Sequence, residues 1–138
     1  MSFPASLPPA VLEMFAGFLL PLILPHVADD RSAARSMALY LLAAYQPCSA
    51  RELSLAAEIV ASNLKMLTML VKSAEPALPA ADVSEAMKWA CHLSRAGRPA
   101  QRQFDELQRL RRLSERWQQL AGASAPTESG ATMPPVAS

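Results

Sequence analysis

Two histidines, two cysteines, a few adjacent acids and a run of arginines are the residues of this chain on which chemistry could be built. Cys48 and Cys91 lie far apart without CxxC or Cys/His spacing, so they suit neither a zinc site nor a disulfide framework and read as ordinary reduced thiols. Cys91 and His92 are neighbours, and on a helix adjacent side chains diverge by about 100° and do not act together. His92 is instead expected near a helix end, complementing its negative pole, and His26 in the stretch after an apolar run; no metal site is expected at either. Acid–base catalysis needs carboxylates converging in a cleft, whereas Asp29 with Asp30 and Asp105 with Glu106 suit helix capping and ion pairing, for example Asp105 with Arg109. GxSxG, P-loop, GxGxxG and HExxH patterns are all missing. The sequence therefore points away from an enzyme and implies no catalytic residue, no cofactor and no metal.

The arginines are the strongest polar signal. Residues 98–116 hold six of them against Asp105, Glu106 and Glu115, while residues 1–30 hold Glu13, Asp29 and Asp30 and no lysine or arginine. Arg102, Arg109, Arg112 and Arg116 form a candidate basic face that could meet phosphates. The interspersed acids and glutamines favour the plainer reading, a solvated face of an amphipathic helix. With a net charge of +1, the chain as a whole has no field that would select nucleic acid.

The elements that must position these residues are helices. Of the 138 residues 51% are hydrophobic, only 6% aromatic and 4 are glycine; alanine, leucine, methionine, glutamine and arginine supply helix formers, and β-branched residues are sparse. The length suits one domain. Residues 1–8 read as an extended, proline-broken start. A helix over about 9–20 follows, apolar nearly all round through Val11, Phe15, Phe18 and Leu22 and through Leu12, Leu19 and Ile23, with Pro21 expected to kink or end it. The apolar run over residues 14–24 lacks the positive leading region of a signal peptide and is interrupted by Gly17 and Pro21, so no transmembrane segment is expected. A second helix starts at Asp29 or Asp30 and stops before Pro47. Ser49 followed by Glu52 is a capping box for a third, whose rows Leu53, Ala57, Val60, Leu64, Leu67, Val71 and Leu55, Ile59, Met66 and Met69 or Leu70 predict a central helix packed on several sides, with Ser54, Glu58, Lys65, Thr68 and Lys72 as a narrow polar strip.

Residues 75–81 read as a loop, and Asp82 with Glu85 as a second capping box opening a fourth helix with Val83, Ala86, Ala90 and Leu93 facing inward. Gly97, Arg98 and Pro99 read as a helix stop. Beyond them, residues 97–121 predict a separate basic amphipathic helix with the stripe Phe104, Leu107, Leu110, Leu113 or Ser114, Trp117 and Leu120, and residues 122–138 predict a disordered tail. The expected architecture is all-α: a compact bundle of about four helices over residues 9–96, the amphipathic helix, and the tail.

The run LAAYQPCSARELSLAAEIVA, continued by a leucine-rich helix and a later LSRAGRPAQRQFDEL, resembles short uncharacterised helical proteins seen in alphaproteobacterial genomes, over about residues 38–110. The resemblance implies a bacterial cytosolic protein and carries over no activity. The leading expectation is a non-enzymatic interaction or regulatory protein that self-associates or binds a protein partner. Its candidate contact residues are Phe15, Phe18, Phe104, Leu107, Leu110 and Trp117. The alternatives are nucleic-acid binding through the arginines and peripheral membrane association through the helix at residues 9–24. A cytoplasmic location is expected.

Overall fold

A computed structural model of the chain describes residues 3–124. The described residues are all-α. Helix α1 spans Pro9–Ile23 and runs into a 3-10 turn, Leu24–His26; α2 spans Arg31–Ala44, α3 Ala50–Ser73 and α4 Ala80–Ser124. The chain falls into two compact units, Met1–Glu106 and Leu107–Ser138.

In the first unit α1, α2 and α3 pack on one another. Their shared core is small in side-chain size: Ala16, Ala34, Ala38, Ala56 and Ala57 are buried with Leu19, Ile23, Leu42 and Leu53 between them. Alanine in the contact rows lets helix backbones approach closely, and the leucines and isoleucine fill what space is left. The start of the chain is tied into this core rather than extended. Pro4 and Leu7 close a turn (Leu7 N to Pro4 O, 3.0 Å), Leu7 is buried, and the Ser6 hydroxyl donates to the Cys48 carbonyl at 3.1 Å.

Helix ends follow local chemistry. Asp30 caps α2, its Oδ1 accepting from the backbone N–H groups of Ser32 (3.0 Å) and Ala33 (3.1 Å). Ser49 caps α3 by accepting from Glu52 N at 3.1 Å, and the buried Glu52 carboxylate accepts from Cys48 N at 2.5 Å. Glutamate thus reaches back to the residue before the cap, one position beyond the partner of the usual reciprocal box. Left-handed Ala28 and Asp29 turn the chain between the 3-10 segment and α2, and left-handed Gln46 ends α2 ahead of Pro47.

Further expectations from the sequence change. Pro21 does not end α1, which continues to Ile23. The proline ring and the Gly17 carbonyl it leaves without a helical donor lie one turn apart on the exposed side, where water can replace the missing bond. α4 begins at Ala80, upstream of the expected box, with Asp82 N and Val83 N donating to the Pro79 carbonyl, so Asp82 lies inside the first turn. Most consequentially, Gly97, Arg98 and Pro99 do not stop the helix: α4 is a single helix of 45 residues that contains Pro99.

The reason is a second pattern laid over the stop signal. Ala86, Ala90, Leu93, Gly97, Ala100 and Phe104 follow one another in steps of four and three, the repeat of one helix face. Ala86, Ala90, Ala100 and Phe104 are buried and Leu93 and Gly97 half-buried. Gly97 is where this face meets α3, since a Cβ built there would stand 3.3 Å from the Ser62 Cβ. Its missing side chain is used for close approach, not for a left-handed cap. Pro99 and Arg95, whose carbonyl loses its donor, are both exposed. The expected tail also starts later, because residues 122–124 still belong to α4; the rest of that expectation, residues 125–138, lies outside the described residues.

Two of the helical glycines should respond in opposite directions. Gly97→Leu should destabilise by about 1–3 kcal/mol through overpacking against Ser62. Gly17→Ala, with nothing within 4 Å of its built Cβ, should stabilise by about 1 kcal/mol through helix propensity. Urea midpoints of the two variants against wild type measure both.

Candidate interaction surface

The polar residues singled out by type do not converge. Among the described residues no group of three or more His, Cys, Asp or Glu is placed to hold a metal. His26 shares a 3.3 Å hydrogen bond with the Thr68 hydroxyl. Asp29 and Asp30 follow His26 by three and four positions, yet the left-handed residues between them break helical geometry and Asp30 is engaged in capping. His92 is not at a helix end: it lies well inside α4, edge-on to Trp89 with ring centroids 5.9 Å apart. Cys48 and Cys91 are both free thiols, the first half-buried and the second exposed. Asp105 accepts from the Gln101 amide at 2.9 Å.

Of the apolar candidates, Phe104 belongs to the interior. It is 3% exposed and meets Tyr45 edge-to-face, centroids 5.5 Å apart at 87°. Burial first, and the Asp105 charge second, push the Tyr45 phenol above its ordinary pKa. The aromatic that opens the expected outer stripe therefore closes the inner one, locking α4 to the end of α2. In the second unit Leu107 is half-buried, Leu110 and Leu113 are exposed, and Trp117 is 71% exposed. Arg109, Arg112 and Arg116 gather with Leu113 around a shallow depression.

The first unit has its own uncovered apolar surface. Phe18 is 63% exposed and Met14, one turn earlier, is also exposed. Phe15 and Phe18 form one wall of a groove of about 430 Å³, with Ala57, Ala61 and Leu93 contributing apolar lining and Glu58 and Lys65 charge. Beside α1, Glu13 and Arg35 form a two-pronged ion pair, Arg35 Nε to Glu13 Oε2 measuring 3.0 Å. The hydrogen bond from Arg35 holds the Glu13 carboxyl below its ordinary pKa.

α3 also departs from expectation. Its first half is buried at Leu53, Leu55, Ala56, Ala57, Ile59 and Val60, whereas Leu67, Leu70 and Val71 face outward. It is a central helix for two to three turns and a surface helix beyond. The residues that sequence reasoning missed as surface are these three, read on inward rows, and Trp89 on α4, left unassigned. By length and composition Pro9–His26 and Ala50–Ser73 are both apolar enough to cross a membrane, with mean hydropathies of 1.5 and 1.3, although the buried first half of α3 is core packing here. Compared with models of protein families, with curated proteins and with solved structures, the chain matches none.

Two measurements separate interior from surface. Phe104→Ala should cost about 3 kcal/mol or more in denaturant unfolding, and Trp117→Ala should stay within about 0.5 kcal/mol of wild type. For the ion pair, the folded-state pKa of Glu13 is depressed, so its contribution is complete above the unfolded value and is lost as pH falls through the folded one. The melting-temperature difference between wild type and Arg35→Ala should accordingly be present at neutral pH and vanish below the carboxylate range.

Proposed function

We propose that this protein is a non-enzymatic helical interaction protein that associates with a second copy of itself through the apolar surface of α1 and its neighbours. The observation that carries this reading is an inversion of size: alanine makes up more than half of the buried apolar positions among the described residues, while Met14, Phe18, Met37, Tyr40, Leu67, Val71, Trp89 and Trp117 stand exposed. A chain that keeps many of its large apolar side chains outside gains further hydrophobic stabilisation when something covers them. The groove beside Phe15 and Phe18 has an alanine floor, which suits an incoming helix because small residues admit close backbone approach. Free thiols and the bacterial resemblance of residues 38–110 support a reducing cytoplasm as its location.

Sedimentation equilibrium of the full chain is the direct test. The expected result is a dimer or larger assembly that Phe18→Glu converts to monomer while helicity by circular dichroism is kept. A wild-type protein that remains strictly monomeric across the accessible concentration range would overturn the reading.

A further inference from the structure

We infer that residues 107–124 form a docking face for an anionic phospholipid bilayer. This goes beyond the self-association proposed for the first unit and uses different residues. Leu110, Leu113, Trp117 and Leu120 recur in steps of three and four on one side of α4, and all four are exposed, Leu110 at 50%, Trp117 at 71% and Leu120 at 62%. Arginines border this stripe along one edge. Arg109, Arg112 and Arg116, themselves in steps of three and four, run beside Leu113 and Leu120 and line the depression of about 190 Å³ that includes Leu113. Arg111 lies toward the back of the helix, about 160° in angle from Leu113 and next to the half-buried Leu107.

Charge complementarity selects the occupant. Residues 107–124 contain four arginines and one acid, Glu115, which stands beside Arg111 at 3.9 Å. A second copy of this face would bring the Arg109, Arg112 and Arg116 rows together or against uncharged residues such as Ser114, so like meets like or nothing. An anionic surface answers the charge along its whole length. Cations along one edge of an apolar stripe fit a flat boundary: the stripe enters the acyl margin, and the long arginine stems beside it lift their guanidinium groups to the phosphate layer. Tryptophan within the stripe suits the same boundary, one edge apolar and the indole N–H wet.

The chain has two tryptophans, Trp89 and Trp117, so Trp89→Phe leaves Trp117 as the sole reporter. This full-length variant should float with phosphatidylcholine vesicles that contain phosphatidylserine and stay down with pure phosphatidylcholine. Its emission should shift to the blue on binding, and added salt should release it. Replacing Arg109, Arg112 and Arg116 together by alanine should weaken binding on the order of a hundredfold, from roughly fivefold for each basic residue near a charged bilayer. Failure to float, flotation without a Trp117 shift, or flotation that survives the triple replacement would each overturn the proposal; the last would move the contact to α1. Retention on DNA or RNA that depends on the same arginines, with no vesicle binding, would overturn it in favour of nucleic acid. None of these outcomes alters the sedimentation result for Phe18, so the two readings fail separately.

Discussion

Close approach of helix backbones across alanine is the constraint on which the rest of this structure depends. Ala34 and Ala38 on α2, Ala56 and Ala57 on α3, and Ala16 on α1 remove the side-chain layer that separates most packed helices, and Gly97 repeats the device where α4 meets Ser62. A methyl group contributes little transfer free energy, about 0.8 kcal/mol per buried carbon. The core consequently relies on a few larger plugs, Leu19, Ile23, Leu42, Leu53 and Phe104, and on dispersion contacts between backbones. The core holds only some of the bulkier residues of the apolar rows. Many of the others stand outside, Met14, Phe18, Leu67 and Val71 among them.

Caps and corners then determine where each alanine row falls. Asp30 begins α2 and the Ser49–Glu52 pair begins α3, while left-handed Ala28, Asp29 and Gln46 make the corners between them. Glu52 is the one buried charged residue among the described ones, and it is engaged with a backbone amide that has no helical partner of its own. A carboxylate in that position joins the loop around Cys48 to the first turn of α3, and the Ser6 hydroxyl joins the start of the chain to the same loop. These contacts involve short segments on which a one-residue slip would turn the buried face outward.

Much of this was legible because it is local. Capping at Asp30 and Ser49, the stop before Pro47, the inward line Leu53, Ala57, Val60 and the polar strip of α3 all follow from residues within a turn of one another. What misled was competition between two local signals at one place. Gly97 followed by Pro99 has the form of a helix end, and only the longer line from Ala86 to Phe104 shows the glycine on a packing face. The exposure of Leu67 and Val71 was not legible at all, since periodicity marks a face without saying how far along the helix a neighbour extends. For the candidate surface, the stripe and the arginines could be read directly, and Phe104 could not be assigned to the interior until Tyr45 was placed against it.

An alanine-lined interior also fixes the direction in which this sequence can drift. At Ala34, Ala38, Ala56 and Ala86 any larger residue overpacks, and the accessible neighbours, glycine and serine, either raise chain entropy or bring a hydroxyl that needs a partner. Core positions in larger-residue bundles can exchange leucine, isoleucine and methionine and keep their volume; these cannot. Selection for greater stability would have to act at caps, corners and outward rows instead, where the same substitutions also alter what the protein can bind.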